Sequence, residues 1–316
     1  MTSAPRPIDI VILSGSSLMS VASAADPVRA ANRLARQKLF DWRILSADGK
    51  PPVLSNDLPF PVSGALKPDD GGAALVIVAG FAQHSNASVE FLRTLAAAGR
   101  NYEILCGVEA GTWLLARAGL IRHEQVTTHW EDFELLENTY PDLEVRRDRF
   151  VVDGRIWTAG GASPALDMML HLIRQWHGAS LALDAASVFI YDQAHPATDA
   201  QPVVSPGQLA SREPRLATAI NIMQKTLDSP LPVPAIAKRS KLSARMLEIL
   251  FARHVGVPPG SYYLALRLQA ARKMVLDTAL SMQDIAVRTG FSSQSALSRS
   301  FRKRYGQSPL KMRLAD

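Results

Sequence analysis

The chain holds a single cysteine, Cys106, among 316 residues. One thiol excludes an intramolecular disulfide and any metal site built from clustered cysteines. Long apolar runs are also missing: none reaches the roughly 18 residues that would suggest a membrane span. The amino terminus runs from Met-Thr-Ser-Ala-Pro-Arg-Pro straight into Ile8-Asp-Ile-Val-Ile-Leu13, without the layout of a secretory signal. The expected location is the cytoplasm, at the nucleoid if the chain binds DNA, with no membrane partner. No cofactor is called for by any motif. Charged residues make up only 20% of the chain against 47% hydrophobic, an ordinary globular balance with ample core.

What is present is unevenly distributed. From Glu213 to the end there are 17 Lys and Arg against 6 Asp and Glu, a balance of +11. Residues 1–212 hold 18 against 23, a balance of −5. A basic carboxy-terminal third on an acidic remainder points to a polyanion-binding module attached to a separate sensing or catalytic body.

The first part alternates strands and helices. Apolar runs at 8–14, 42–46, 74–79 and 103–106 predict strands, and 19–38, 89–98, 112–118, 131–138 and 165–176 predict helices. A hairpin is expected around Asp153-Gly154. That order predicts an α/β fold, a parallel sheet with helices on both faces, whose ligands bind beyond the carboxyl ends of the strands. The strand at 103–106 enters Gly107-Val-Glu-Ala-Gly111 and then a helix. Such a sharp turn lifts one side chain above the sheet edge, here Glu109. The helix amino terminus behind it favours an anion; Glu109 could equally cap that helix. Residues 192–212 are rich in Pro, Ser and small residues and read as a linker. The expected domains are therefore 1–191, linker 192–212, and 213–316.

The last part predicts an all-α domain with two helix-turn-helix units. Ile285, Ala286, Gly290, Ala296, Leu297, Phe301 and Tyr305 lay out two short helices around a glycine turn, with Ser292 or Ser293 as cap. The pattern recurs upstream: Ile236-Ala237 matches Ile285-Ala286 at an offset of 49, and Phe251, Gly256 and Pro259 match Phe301, Gly306 and Pro309 at an offset of 50. One residue is inserted in the second copy, in its second helix or just before it. A long helical pattern, 262–276, joins the copies, so two helices could reach successive major grooves. Arg245 in the first copy, and Gln294, Ser295, Ser298 and Arg299 in the second, are candidates to meet bases or phosphates; Arg302, Lys303 and Arg304 suit phosphates. The bland alternative for the last three is a solvated basic face.

Residues 213–316, through Gly290-Phe-Ser292, Ser295, Ser298-Arg299, Phe301 and Gly306-x-Ser-Pro309, resemble the AraC-type DNA-binding domain. Residues 8–190, through Asp26-Pro-x-Arg-Ala-Ala-Asn32, the turn at 107–111, Leu115-Ala-x-Ala-Gly-Leu120 and Val126-Thr-Thr-His-Trp130, resemble the PfpI-like, class I glutamine amidotransferase-like fold. Together they resemble the GlxA family of transcriptional regulators. The resemblance implies DNA, a small-molecule effector, a second copy bound through the amino-terminal domain, and RNA polymerase as partners. Enzymes of the fold place a cysteine at the elbow; here Glu109 stands there, Cys106 lies three residues earlier in the strand, and Phe81 follows Gly80 where a second glycine is usual. No catalytic residue is expected. His129 matches the histidine that faces the nucleophile in related proteins. A carboxylate with Phe81, Trp113 and Trp130 nearby would suit a cationic amine or amino acid, and the resemblance implies the arginine, betaine or carnitine class. The alternative reading for either tryptophan is packing. The alternatives are a PfpI-like amidase or peptidase with a DNA-binding appendage, and an architectural DNA protein.

Overall fold

The structure is a computed structural model that describes residues 4–80, 86–191, 201, 213–278 and 280–314. The chain divides into two compact units, Met1–Gln201 and Pro202–Asp316.

In the first unit, strands β1 (Arg6–Ile12), β2 (Phe40–Ser46), β3 (Gly72–Ala79), β4 (Tyr102–Glu109), β7 (Phe150–Asp153) and β8 (Ile156–Ala159) form one sheet in the order β2-β1-β3-β4-β8-β7. Five of the six are parallel; β7 returns antiparallel to β8 through the hairpin at Gly154. Strand alternation divides the apolar runs between two cores. Ile8, Ile10 and Ile12 with Ala74, Val76 and Val78 face helices α1 (Leu18–Ala35), α5 (Ala162–His177) and α6 (Ala179–Val188). Val11, Leu13, Leu75 and Ile77 face α2 (Val89–Ala98), α3 (Gly111–Arg117) and α4 (Phe133–Thr139). Both faces are covered, which is why these strands read as unbroken apolar runs. Short strands β5 (Gln125–Val126) and β6 (Glu144–Val145) pair separately.

The sequence placed the elbow as a loop over 107–111. Instead β4 continues to Glu109, in register with Ala79 of β3. The turn is confined to Glu109 and Ala110 at the sheet's carboxyl edge. The 192–212 linker falls outside the described residues except for Gln201. That residue is 5% exposed and packs into the first unit, so it is not free linker.

The second unit contains α7 (Pro214–Lys225), α8 (Val233–Arg239), α9 (Ala244–His254), α10 (Pro259–Asp277), α11 (Met282–Arg288), α12 (Gln294–Tyr305) and α13 (Pro309–Leu314). Two small cores form. Leu216, Met223, Ile236, Leu247, Phe251 and Tyr263 make the first; Leu268, Val275, Ile285, Leu297, Phe301 and Met312 make the second. Helix α10 contributes to both and so ties α8–α9 to α11–α12. Its 19 residues span about 28 Å, close to one turn of duplex DNA.

The repeat is now exact in backbone terms. Helices α8 and α11 start at 233 and 282, and α9 and α12 start at 244 and 294. The inserted residue therefore lies in the turn before α12. Serine caps match as well: Ser243 accepts from the Met246 amide and Ser293 from the Ala296 amide, both at 3.1 Å. Of the two candidate caps, Ser293 is the one used.

Candidate functional site

The first site is built where three strands end. Glu109, the last residue of β4, has φ +54, an uncommon backbone for a residue with a Cβ. The turn is held by the Ala110 amide donating to the Ala79 carbonyl at 3.0 Å. Beside it, the loop after β1 is locked by Ser16, whose hydroxyl donates to the Leu13 and Val78 carbonyls at 2.7 and 2.9 Å. Helix α1 then presents Ser20, fully buried, whose hydroxyl donates to the Glu109 carboxylate.

Glu109 does not cap α3. Residue 110 is the cap position, without a side-chain cap, and the carboxylate is engaged by Ser20. Burial pushes the Glu109 carboxyl up from its ordinary range, and the Ser20 hydrogen bond offsets this only in part. Desolvation of a carboxylate thus outweighs any help from the short helix behind it.

A wall of buried threonines supports the elbow. Thr128 donates to the Glu109 carbonyl at 3.1 Å, and Thr112 to the Thr127 carbonyl at 2.7 Å. The Thr127 amide donates to the Thr158 hydroxyl at 2.8 Å. Gln201 completes the wall: its Nε2 lies 2.9 Å from Thr127 Oγ1, the Thr128 carbonyl and the Asp148 carbonyl. It fits because residue 160 is glycine; a Cβ there would overlap the Gln201 amide. Gly160→Ala should displace the Gln201 amide and cost the Thr128 carbonyl this donor, while Thr127 Oγ1 keeps the Asp148 carbonyl at 2.9 Å, a loss of about 1–3 kcal/mol. Thermal unfolding of the first unit should then start several degrees lower.

The threonine wall leads directly to His129 and Trp130, whose rings are 5.4 Å apart. Both are partly buried. Burial lowers the His129 pKa, with Glu131 and Asp132 opposing, so the neutral imidazole is favoured. Trp113 is different: it is 2% exposed and packs edge-on against Tyr140 in the α2–α3–α4 core. It is a packing residue, as one of its two sequence readings allowed. Phe81 lies outside the described residues. Cys106 is wholly buried in β4, and burial pushes its thiol up to about 12. Burial thus opposes formation of a thiolate near pH 7.

Ser20, Thr127, Thr128 and Gln201 were not anticipated as site residues. Ser20 had a legible signal, a polar residue on the buried stripe of α1 beside Val21 and Ala24. Gln201 had none, because its neighbours share the linker composition.

The second site is the outward face of the helix-turn-helix pair. Arg245 on α9 is exposed, as are Gln294, Ser295, Arg299, Arg302, Lys303 and Arg304 on α12; Ser298 is partly buried. Ser298, Arg299, Arg302 and Lys303 line one open concavity. Helix α12 carries four cations and no acid, and α9 carries two cations and one acid. The turn before α12 is fixed by Arg267 of α10. Its guanidinium donates to the Thr289 and Gly290 carbonyls at 2.8 and 2.6 Å and stacks 4.3 Å from the Phe291 ring centre.

Known proteins share both units. The DJ-1/PfpI family model matches residues 24–175, and a helix-turn-helix domain model matches residues 236–315. The HTH-type transcriptional regulator CdhR of Pseudomonas aeruginosa is 35% identical over 299 residues, covering 95% of this chain and 89% of CdhR. The HTH-type transcriptional regulator GlxA of Rhizobium meliloti is 30% identical over 310 residues, covering 97% of this chain and 95% of GlxA. Among solved structures, an AraC family transcriptional regulator from Pseudomonas putida is 25% identical with a TM-score of 0.51; the match covers 58% of this chain and 100% of that one. Among the described residues no helix is long and apolar enough to cross a membrane. With a DJ-1/PfpI-like unit, an AraC-type DNA-binding helix-turn-helix unit and these full-length relatives, the chain belongs to the GlxA family of transcriptional regulators.

Proposed function

We propose that the first unit binds a small cationic amine or amino acid, of the arginine, betaine or carnitine class, and that occupancy alters DNA binding by the second unit. The observation that carries this is Glu109: a carboxyl side chain held at the strand-end elbow, desolvated, with Ser20 as its hydrogen-bonding partner. A desolvated carboxylate gains most from a cation that replaces its lost water. The ring pair of His129 and Trp130 supplies an aromatic surface reached through the same threonine wall. The elbow offers no thiol nucleophile: its own residue is a carboxylate, and the thiol three residues earlier is wholly buried, which favours its protonated form. Calorimetry with arginine, glycine betaine and carnitine tests this, with wild type compared against Glu109→Gln.

The pH dependence follows from the raised carboxyl. Glu109 takes up a proton at a pH where an exposed glutamate is still ionised. Amine affinity should therefore fall on acidification while the pH is still above about 4.3. In the folded chain the neutral form is favoured, so Glu109 adds stability below its unfolded pKa and loses it as pH rises through the folded one. Bound cation reverses that preference. Titrations from neutral pH down toward about 4.3 should show the loss setting in early in wild type and a flat, weak response in Glu109→Gln.

Coupling to DNA has a physical route in this reading. Thr128 holds the Glu109 carbonyl, and the same Thr127–Thr128 segment holds Gln201, the last residue before the second unit. A ligand that shifts the elbow changes the anchorage of the chain leading to the DNA reader. Differential affinity for two such arrangements is what regulation requires. The protein acts as a homodimer through its first unit, at the nucleoid, with RNA polymerase as its transcriptional partner. Sedimentation of the full chain tests the dimer.

A further inference from the structure

The two recognition helices share a backbone and a set of buried anchors, yet their outward faces are chemically unlike. At an offset of 50, Leu247 and Phe251 match Leu297 and Phe301, all buried. The same offset sets Arg245 against Ser295, Ile249 against Arg299 and Ala252 against Arg302. The matched faces therefore point the same way in each repeat. Helix α12 presents hydroxyls, Gln294 and a net charge of +4; α9 has a net charge of +1. Helix α9 also exposes two large apolar side chains one turn apart, Met246 at 42% and Ile249 at 44%. No large apolar side chain of α12 is comparably exposed. The apolar pair is bracketed by exposed Arg245 and Arg253, with small Ala244 and Ala252 beside them.

We propose that the two helices divide the work of recognition: α9 reads thymine through its 5-methyl group, using Met246 and Ile249, and α12 supplies polar contacts and phosphate charge. This rests on α9 entering a major groove. The thymine methyl is the apolar group that bases display there. Small residues at 244 and 252 let the helix approach closely, and Arg245 and Arg253 sit where flanking phosphates would lie. Exposed Glu248 lies on the opposite edge of the outward face from Met246, where it opposes unselective phosphate binding and can accept a hydrogen bond from a cytosine amino group. Base discrimination thus concentrates on α9 and salt-dependent affinity on α12.

The full-length protein is used to enrich an operator from randomised duplex DNA. Each thymine of that operator is then replaced in turn by deoxyuridine, which removes only the methyl. Fluorescence anisotropy should show about a fourfold loss at one or two positions, the factor for one buried methyl. Ile249→Ala and Met246→Ala, both at exposed positions, should erase that penalty and leave the salt slope of wild type. Arg299→Ala and Arg302→Ala should keep the penalty and each reduce the slope by about 0.9. Uracil tolerated at every position overturns the inference and assigns the apolar pair to a protein contact. A penalty undiminished in both apolar variants overturns it too. Failure to enrich any operator overturns the groove reading itself.

Discussion

Gly290→Ala leaves the first unit folded and removes DNA binding. Gly290 sits in the turn before α12 with φ +69, where a side chain costs about 1–2 kcal/mol. Its added Cβ would also overlap Pro230 Cδ and stand 2.7 Å from the Leu227 carbonyl oxygen. Relieving that crowding costs a further 1–3 kcal/mol or so. Gly290's own carbonyl accepts from Arg267, so a displaced turn also strands a partly buried guanidinium. The sum is a large fraction of what a small helical core can supply. The matching position in the first turn is Lys241, also left-handed at φ +56. Left-handed backbone alone is therefore tolerated; Pro230 and Leu227 make position 290 intolerant. Calorimetric unfolding should show the helical transition lowered or lost and the α/β transition unmoved, with operator binding absent in a mobility-shift assay.

Glu109→Gln binds the cationic amine at least ten- to a hundredfold more weakly than wild type. The variant keeps the shape of the elbow and a hydrogen-bonding group for Ser20 and removes only the charge. Charged hydrogen bonds contribute about 1.5–3 kcal/mol, which sets that range. Stability should rise slightly, because a desolvated carboxylate is replaced by a neutral amide. Equal binding of arginine, glycine betaine and carnitine by variant and wild type would remove the reason for placing an amine there.

The parts of this molecule that follow from local pattern were legible in the sequence. Apolar runs at 8–14 and 74–79 became β1 and β3 because both sheet faces are covered. The helix expected at 89–98 lies at Val89–Ala98. The repeat announced two helix-turn-helix units, but adjacent serines 292 and 293 left the inserted residue unplaced until the cap geometry located it in the turn. What depends on distant partners was hidden. Ser20 and Glu109 are 89 residues apart, and nothing near either one names the other. Trp113 and Trp130 are equivalent as letters; one faces the α2–α3–α4 core and the other only partly leaves solvent. Gln201 is invisible in a linker-like composition because its anchors, Thr127, Thr128 and Asp148, are more than 50 residues upstream.

The most direct test of the account is operator affinity of the full-length protein, measured with and without saturating amine from that panel, in wild type and Glu109→Gln. The amine should shift wild-type affinity by about 5- to 150-fold, the usual span of coupling between sites. It should leave Glu109→Gln unshifted at the same concentration. An amine that binds wild type without changing operator affinity, or that shifts both proteins equally, would contradict a sensor whose elbow carboxylate reports to DNA.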